Sequence, residues 1–229
     1  MINANKTKSA VKSFIRKSLR IKPDFHLLDT KTSTPQLNSV LNKILSFQPR
    51  VTHPAEFITL GTLALTSKFN IIEVGCYLGY SSCVMASAIK EGRKVFAIDI
   101  FDREKGWSNG STDDKIFKNY SQWDWALKVA EEIGVKNKIE FIRSDSIAAI
   151  EKINTRIEQV DLIFIDADHS YNSCIADLNA YSKLVEPGGY LVAHDYLNSF
   201  HPGVKKAVDE FLNFNKNFSA IYNVQSMII

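Results

Sequence analysis

Apolar runs alternate with amphipathic stretches along the chain after residue 68. Five short, β-rich runs predict buried strands: "NIIEVGC", "KVFAIDI", "KIEFIRS", "QVDLIFIDA" and "YLVAHDY". Helical patterns lie between them: "SSCVMASAIKEG", "WDWALKVAEEIG", "SIAAIEKI" and "NSCIADLNAYSKLV", the last ended by Pro187-Gly188-Gly189. Near-continuous apolar strands that alternate with helices predict a doubly wound α/β fold, with a parallel sheet covered on both faces.

The C-terminal stretch departs from this alternation. After the helix pattern "VKKAVDEFLNF" come two strand patterns, "FSAIYNV" and "SMII". The gap between them is too short for anything but an antiparallel return. We therefore predict a mostly parallel sheet closed by an antiparallel hairpin. Residues 1–68 are predicted to be a helical N-terminal extension, and residues 69–229 the ligand-binding domain.

Composition narrows the class of protein. The chain has 229 residues, 45% of them hydrophobic and 23% charged, which is typical of a globular protein. Its three cysteines are an odd number without a C-x-x-C pair, which favours a reducing compartment and hence the cytoplasm over a disulfide framework. No apolar run approaches the roughly 18 residues that a membrane span needs.

The charge is concentrated at the N-terminus. Residues 1–23 carry seven Lys and Arg residues and no acid, although the whole chain carries a net charge of only +3. This segment suits either a membrane-surface or nucleic-acid contact, or a helix docked on the domain or a partner subunit. We favour a docked helix over a membrane or nucleic-acid contact, because the segment offers only one such basic helix. Nucleic acid is disfavoured as a partner, and a homo-oligomer is left open.

The loop "EVGCYLGYSS" follows the first strand, where open α/β sheets bind ligands. Gly75 and Gly79 allow a sharp turn close to a ligand, and Ser81 adds a hydroxyl near the start of the next helix. Tyr77 occupies the place of the second glycine of the dinucleotide pattern G-x-G-x-x-G. It leaves little room for a pyrophosphate, which favours an adenosine ligand with a small charged tail over a dinucleotide.

Acids stand at four successive strand ends. We expect Asp99 to accept hydrogen bonds from both ribose hydroxyls, and Glu73 to attract an ammonium group or order water. Asp145 and Ser146 are expected to meet the adenine edge. With Asp166 after the fourth strand, the repeated placement argues against solvated surface acids.

The chain resembles class I S-adenosylmethionine-dependent methyltransferases over residues 50–229. The motifs are "IIEVGCYLGYSS", "VFAIDI", "IRSDS", "DLIFIDADHSY" and "VEPGGYLVAHDY", and the last two resemble a bacterial small-molecule O-methyltransferase branch to which sugar methyltransferases of antibiotic pathways are related. The resemblance implies a seven-stranded sheet of order 3-2-1-4-5-7-6 and S-adenosylmethionine as cofactor. The expected cofactor-binding residues are Glu73, Gly75, Tyr77, Gly79, Ser81, Asp99, Asp145, Ser146 and Asp166.

Asp166 on the fourth strand and His194 and Asp195 on the fifth are expected to converge, because neighbouring strands lie about 4.8 Å apart. Such a trio suits a divalent ion that binds an acceptor oxygen and lowers its pKa. The related metal-dependent O-methyltransferases use an acid on strand four and an acid–amide or acid–acid pair on strand five. His194 departs from that pattern, which shifts the preference from Mg²⁺ towards Mn²⁺ or argues against a metal.

Without a metal, the general base would be Asp168, His169 or His194, and the ordinary pKa of histidine suits that role. His169 has an alternative role as a residue of the helix start or one that supports the ligands. A long loop over residues 102–120 is expected to act as a lid or to contact substrate. Phe200 and His201 are expected to complete the acceptor pocket.

The sequence thus predicts an S-adenosylmethionine-dependent O-methyltransferase acting on a small hydroxylated acceptor, a sugar or a natural product, with assistance by Mg²⁺ or Mn²⁺ left open. The alternatives are a related fold member that performs N-methylation or hydroxylation, and a catalytically silent adenosine-binding module. A dehydrogenase is disfavoured by the glycine spacing in the first loop.

Overall fold

The computed structural model describes residues 35–47, 52–157, 159–221 and 223–229. The basic segment of residues 1–23, with its expected docking helix, lies outside this part of the chain. Ser33–Ile229 form one compact unit. None of the helices in the described ranges is both long and apolar enough to cross a bilayer.

A seven-stranded sheet forms the centre of this unit. Its strands are β1 (Asn70–Val74), β2 (Val95–Asp99), β3 (Ile139–Arg143), β4 (Val160–Ile165), β5 (Val185–Ala193), β6 (Asn223–Val224) and β7 (Met227–Ile228). Their order is β3-β2-β1-β4-β5-β7-β6, in which β1 to β5 are parallel and β7 is antiparallel to both neighbours. The predicted fold class, strand order and closing hairpin are confirmed.

Helices cover both faces of the sheet. They are α1 (Pro35–Ile44), α2 (Pro54–Thr66), α3 (Tyr80–Ala88), α4 (Asp114–Phe117), α5 (Gln122–Ile133), α6 (Ser146–Asn154), α7 (Tyr171–Tyr181) and α8 (Pro202–Phe214). Alternate residues of β1 serve the two faces: Ile71 packs in the cluster with α2, α3 and α5, and Ile72 in the cluster with α6, α7 and α8. Glu73 shares the face of Ile71 because side chains alternate along a strand.

The first two helices belong to this packing. Leu37, Leu41 and Phe57 are buried in the same cluster as β1 and α3. Asp161 at the start of β4 accepts a hydrogen bond of 2.6 Å from the Lys68 backbone N–H. The helices of residues 35–66 therefore contribute to the core of the sheet domain, while the domain division at residue 68 stays a prediction.

The prediction that Pro187-Gly188-Gly189 ends the helix after β4 is wrong. Helix α7 ends at Tyr181 and a 3₁₀ turn covers Ser182–Leu184, so that the Pro-Gly-Gly stretch lies inside β5. The pairing of β4 with β5 shifts register there, and a Cβ on Gly189 would lie 2.8 Å from the Asp161 carbonyl oxygen. The two glycines therefore form a bulge in the strand.

Candidate functional site

The loop after β1 packs directly on the loop after β4. Gly75 has a φ of +88°, and a Cβ there would lie 2.1 Å from the carbonyl oxygen of Asp166. Gly79, with a φ of +79°, stands before the first residue of α3, and a Cβ there would lie 3.3 Å from Ala126 Cβ. These glycines are needed because the backbone must turn in the left-handed region while other chain segments lie against it.

Asp99 anchors the first loop to the end of β2. Its Oδ2 accepts a hydrogen bond of 2.8 Å from the Tyr77 backbone N–H, and Tyr77 donates its hydroxyl to Asp113. Its Oδ1 accepts bonds of 2.9 Å from the Phe101 N–H and the Gln122 Nε2. A carboxylate offers about four acceptor positions, so these three donors leave about one for a ligand. The expected contact of Asp99 with both ribose hydroxyls stays a prediction.

Glu73 lies beneath the first loop. Its side chain is fully buried and accepts hydrogen bonds from the Ser81 and Ser82 hydroxyls. Burial raises the pKa of Glu73 to about 8, although the two serines lower it. Glu73 therefore fastens the first turn of α3 to β1. Its expected contact with an ammonium group or a water stays a prediction.

Asp145 and Ser146 lie at the start of α6. Asp145 caps the helix by accepting hydrogen bonds from the backbone N–H groups of Ile147 at 3.0 Å and Ala148 at 3.1 Å. The Ser146 hydroxyl donates to Asp177 at 2.6 Å. Both residues thus have local partners, and their expected contact with the adenine edge stays a prediction.

The ends of β4 and β5 bring two histidines and two aspartates together. His194 Nδ1 lies 3.2 Å from Asp166 Oδ1 and 3.3 Å from Asp195 Oδ2. His169 Nε2 lies 2.9 Å from Asp195 Oδ2 and 3.6 Å from Asp166 Oδ1. The three predicted metal ligands therefore meet, as expected for parallel strands that end at one edge, and His169, a second predicted base beside His194, joins them.

The charges of this cluster are strongly coupled. Burial alone lowers the pKa of His194, but Asp166 and the other carboxylates around it raise it to about 12. Asp166 and Asp195 raise the pKa of His169 to about 9. Burial alone raises the pKa of Asp195, but His169, His194 and Asn198 hold it well below its usual range. Without a further cation, both imidazoles are therefore protonated at neutral pH.

Two nitrogens of the cluster are left without a well-directed hydrogen bond. They are His169 Nε2 and His194 Nδ1. In the described residues, Gln122 Oε1 is the third buried side-chain atom that lacks a hydrogen-bond partner. His194 is only 8% exposed. Its Nδ1 is about equally far from two carboxylate oxygens and points squarely at neither, as a ligand facing a shared ion would. Asp166, His194 and Asp195 therefore fit a divalent ion.

A second set, His169, Asp195 and His201, also lies within reach of one ion. Its two imidazole rings are stacked, with centroids 4.0 Å apart and planes 19° apart. The lone pair of an imidazole nitrogen lies in the ring plane, so nearly parallel rings do not aim at one ion. This set needs a ring rotation before it can bind a metal, which makes the first set the better candidate.

Asp168, the other carboxylate among the predicted bases, is engaged at the start of α7. It accepts hydrogen bonds from the Ser170 N–H and hydroxyl, both at 3.0 Å, and from the Ser173 hydroxyl at 2.8 Å. These donors lower the pKa of Asp168. Both its oxygens are therefore used to hold the helix start. Its role as a base stays a prediction.

The outer walls of the site are loops. In the loop of residues 102–120, Trp107 packs edge-on against Phe117 at 5.3 Å, and Arg103 lies over the Tyr77 ring at 4.5 Å. After β5, Phe200 is 87% exposed and Leu197 is 53% exposed. The loop of residues 102–120 thus packs against the loop after β1, and the loop after β5 leaves apolar surface exposed near His201. The expected roles of the two loops, as a lid or substrate contact and as part of the acceptor pocket, stay predictions.

Sequence reasoning missed Glu56 and Ser226. Glu56 Oε2 lies 3.3 Å from His194 Nε2, and Glu56 Oε1 accepts hydrogen bonds from the Ser226 N–H at 3.0 Å and hydroxyl at 2.7 Å. The sequence signal at Glu56 is the capping pattern "HPAE", which predicts the start of a helix. It does not indicate a contact with His194, which lies 138 residues further along the chain. No signal marks Ser226 beyond its place in the hairpin turn.

A seven-stranded sheet of this order, with an antiparallel β7 and acidic ends on β1, β2, β4 and β5, defines the class I methyltransferase fold. Residues 72–196 match the family model described as "Methyltransferase domain", which covers more than half of the chain. The chain therefore belongs to this methyltransferase family.

Individual proteins agree with this assignment. The chain is 30% identical to the tapetum-specific methyltransferase 1 of Arabidopsis thaliana over 64% of this chain and 59% of the relative. It is 29% identical to a putative caffeoyl-CoA O-methyltransferase of the same plant, over 66% of this chain and 60% of the relative. The matched part thus spans about three fifths of these relatives' length.

Solved structures share the fold of the described part of the chain. An O-methyltransferase from Bacillus cereus in complex with SAH superposes with a TM-score of 0.60 at 18% identity, covering 98% of this chain and 99% of that one. The O-methyltransferase TomG from Streptomyces achromogenes, in complex with SAM, gives 0.57 at 17% identity, covering 99% and 94%. At these identities the likeness concerns the fold.

Proposed function

We propose that the protein is an S-adenosylmethionine-dependent O-methyltransferase that acts on a small hydroxylated acceptor with the help of a divalent ion. The observation that carries the proposal is the convergence of Asp166, His194 and Asp195 beside the glycine loop of β1. Two further findings support it: relatives that are named caffeoyl-CoA O-methyltransferases, and structural neighbours in complex with SAH or SAM.

The methyl donor is proposed to lie along the loop of residues 75–79. The left-handed turns at Gly75, Tyr77 and Gly79 keep this loop tight against the end of β4. Asp99 holds the Tyr77 N–H and retains about one acceptor position for a ribose hydroxyl. This arrangement would place an adenosine on the β1–β2 side and its sulfonium near Asp166.

Asp166, His194 and Asp195 would hold the divalent ion. One nitrogen and two carboxylates are donors that Mn²⁺ accepts more readily than Mg²⁺, which prefers all-oxygen shells. A bound divalent ion would supply Lewis-acid polarisation of the acceptor oxygen and lower its pKa. Asp195 and Asp166 bring the negative charge that makes the position attractive to a cation.

His169 is our choice for the group that takes the acceptor proton. Its Nε2 faces the cluster, and its side chain is 35% exposed, so that solvent can take the proton onward. His194 is buried with carboxylates near both nitrogens, and Asp168 is occupied by the start of α7. The pKa of His169 is high only because Asp166 and Asp195 are unneutralised, so charge compensation of these two carboxylates would return it towards neutrality.

The acceptor is proposed to enter beside the loop after β5. The exposed side chains of Leu197 and Phe200 offer apolar contacts, and the stacked His169 and His201 rings form the wall next to the cluster. A hydroxylated ring of a sugar or natural product would suit this combination. Methyl transfer is a displacement in line, so this wall must hold the acceptor oxygen opposite the leaving sulfur.

The test begins with calorimetric titration of S-adenosylmethionine and NAD. We expect S-adenosylmethionine to bind and NAD not to bind, and the reverse result would contradict a methyltransferase. Metal-stripped protein is then assayed against a panel of catechols, phenols and sugars. We expect turnover to vanish in EDTA and to return with Mn²⁺, more than with Mg²⁺.

Two outcomes separate the alternatives. Full turnover in EDTA would contradict the role of the divalent ion; His169 could then act as the base only near and above its pKa of about 9, and kcat would have to rise with pH towards that value. Binding of S-adenosylmethionine with no methyl transfer to any member of the panel, in the presence of Mn²⁺, would favour the silent adenosine-binding module.

A further inference from the structure

Glu56 is a buried carboxylate that reaches the candidate metal cluster from behind. It is 2% exposed and lies near the start of α2, outside the residues 72–196 that match the family model. Its Oε2 lies 3.3 Å from His194 Nε2, whereas His194 Nδ1 faces Asp166 and Asp195. The two nitrogens of one imidazole thus connect Glu56 to the cluster.

Both oxygens of Glu56 face donors. Oε2 accepts a hydrogen bond from the His53 N–H at 2.9 Å, and Oε1 accepts from the Ser226 N–H at 3.0 Å and the Ser226 hydroxyl at 2.7 Å. Because backbone N–H groups donate to both oxygens, neither oxygen has room for a carboxyl proton, and Glu56 accepts on both sides. The His194 Nε2 beside it therefore carries the proton of that contact.

We propose that Glu56 is a positioning residue for the metal cluster: it fixes the proton of His194 on Nε2 and so directs the lone pair of Nδ1 to the point between Asp166 and Asp195. This inference rests on the divalent ion of the proposed function. Carboxylates that receive the second N–H of a ligating histidine fix its tautomer and its orientation and make it a stronger ligand. The role needs no contact between Glu56 and the ion.

A competing explanation is that Glu56 only ties α2 to the turn between β6 and β7. Asp161 provides a matched control for such a tie. It accepts hydrogen bonds from the Ser67 hydroxyl and from the N–H groups of Lys68 at 2.6 Å and Phe69 at 3.4 Å. It stands at the opposite end of β4 from the cluster, so Asp161→Asn removes a similar tie without touching His194.

Glu56→Gln separates the two explanations. In either orientation the amide NH₂ of Gln meets a backbone N–H, that of Ser226 or that of His53, and no negative charge remains behind His194. With the NH₂ towards Nε2, the His194 proton moves to Nδ1, between Asp166 and Asp195; with the amide oxygen towards Nε2, only a neutral acceptor holds the proton there. We expect the affinity for Mn²⁺ to fall about 10–100-fold, as is typical when the carboxylate behind a ligating histidine is lost.

The experiment titrates MnCl₂ into metal-stripped wild type, Glu56→Gln and Asp161→Asn by calorimetry, and measures urea unfolding for each. Pulsed EPR of the Mn²⁺ complexes detects the coupling of a directly bonded imidazole nitrogen, and its absence in His194→Ala assigns that coupling to His194. We expect Asp161→Asn to lose stability and keep wild-type Mn²⁺ affinity and coupling. Glu56→Gln is expected to lose affinity and coupling.

Wild-type Mn²⁺ affinity and coupling in Glu56→Gln would overturn the inference and leave Glu56 as a structural tie. A wild type that binds S-adenosylmethionine but not Mn²⁺ would overturn both this inference and the metal part of the proposed function, without touching methyl transfer itself. If Glu56→Gln does not fold, Glu56→Asp keeps the charge and withdraws it by one methylene. It is expected to lose part of the affinity, and an unchanged affinity would likewise overturn the inference.

Discussion

At the β1–β2 half of the sheet edge, Glu73 and Asp99 are each held by hydroxyl, amide or backbone donors of their own surroundings. At the β4–β5 half, Asp166 and Asp195 face two imidazole nitrogens that make no well-directed hydrogen bond. In the first half the chain's own donors hold both acids, and the loop after β1 presents a tightly turned backbone. The second half carries more charge than its own partners satisfy, which is the property expected of a site that binds a cation.

The difference has a physical origin. Serines and backbone N–H groups near β1 are donors only a few residues away, so the local chain can satisfy its acids. The β4–β5 acids meet histidines, and the second ring nitrogen of His194 faces another acid, Glu56. A buried charge cluster of this kind costs stability unless it is compensated, so its persistence indicates function rather than folding.

The change with the largest expected effect disrupts the contact between the two halves, where the loop after β1 packs on the loop after β4. Gly75→Ala combines a left-handed backbone with a Cβ placed 2.1 Å from the Asp166 carbonyl oxygen. We expect the free energy of unfolding in urea to fall by more than about 3 kcal/mol. Gly92→Ala is the control, because Gly92 also has a positive φ, of +76°, but a Cβ there would meet no atom within 4 Å. This variant should lose about 1–2 kcal/mol of unfolding free energy. Equal losses would contradict the tight contact between the two loops.

A second change tests the β4–β5 half alone. His169→Gln removes the proposed proton acceptor and keeps a polar side chain of similar reach. We expect kcat to fall at least about 100-fold, the usual effect of losing a general base. Binding of S-adenosylmethionine, measured by calorimetry, should not change, because the donor lies in the other half. Wild-type kcat in this variant would rule out His169 as the base.

A third change tests the β1–β2 half, through the pH dependence of its stability. The pKa of Glu73 is raised from an ordinary 4.5 to about 8, so the folded protein keeps a proton that the unfolded chain releases between these values. The wild type should therefore lose stability as pH rises from about 4.5 to about 8. Glu73→Gln keeps partners for Ser81 and Ser82 and cannot ionise.

The difference in unfolding free energy between Glu73→Gln and the wild type should grow through this window, to the order of 3 kcal/mol. Urea titrations at about pH 5, 6.5 and 8, which span this window, measure the difference. The contributions of other titrating groups are the same in the two proteins and cancel. A pH-independent difference would show that Glu73 is ionised in the folded state.

The smallest expected effect concerns Asp168. Asp168→Asn keeps an acceptor for the Ser170 N–H but weakens the bonds with the Ser170 and Ser173 hydroxyls. We expect a loss of about 1 kcal/mol in unfolding free energy and a fall in kcat of less than about 10-fold. A loss of kcat as large as that of His169→Gln would return the role of base to Asp168.

Much of the fold could be predicted because local patterns and topology agree. Near-continuous apolar runs in β1, β2 and β4, which alternate with helical patterns, and the short gap before "SMII" are enough for a parallel sheet with an antiparallel return. The convergence of Asp166 with His194 and Asp195 follows from the same topology, since parallel strands end at one edge. The bulge at Gly188 and Gly189 was not predictable from the run "PGG", because the same residues also suit a helix end.

The sequence by itself determined the succession of strands and helices along the chain, the glycine turns after β1 and the placement of acids and histidines at the edge of the sheet, because these depend on short-range periodicity and on the rule that parallel strands align. The order of strands within the sheet was implied by the resemblance to a family, not by these patterns. Only the tertiary structure decided how those groups are partnered. It buried Glu73 under two serines, used Asp168 to hold a helix start, and placed Glu56 behind His194 across 138 residues of chain. Hydrogen-bond partners at that separation depend on how whole helices pack, and no local pattern encodes that.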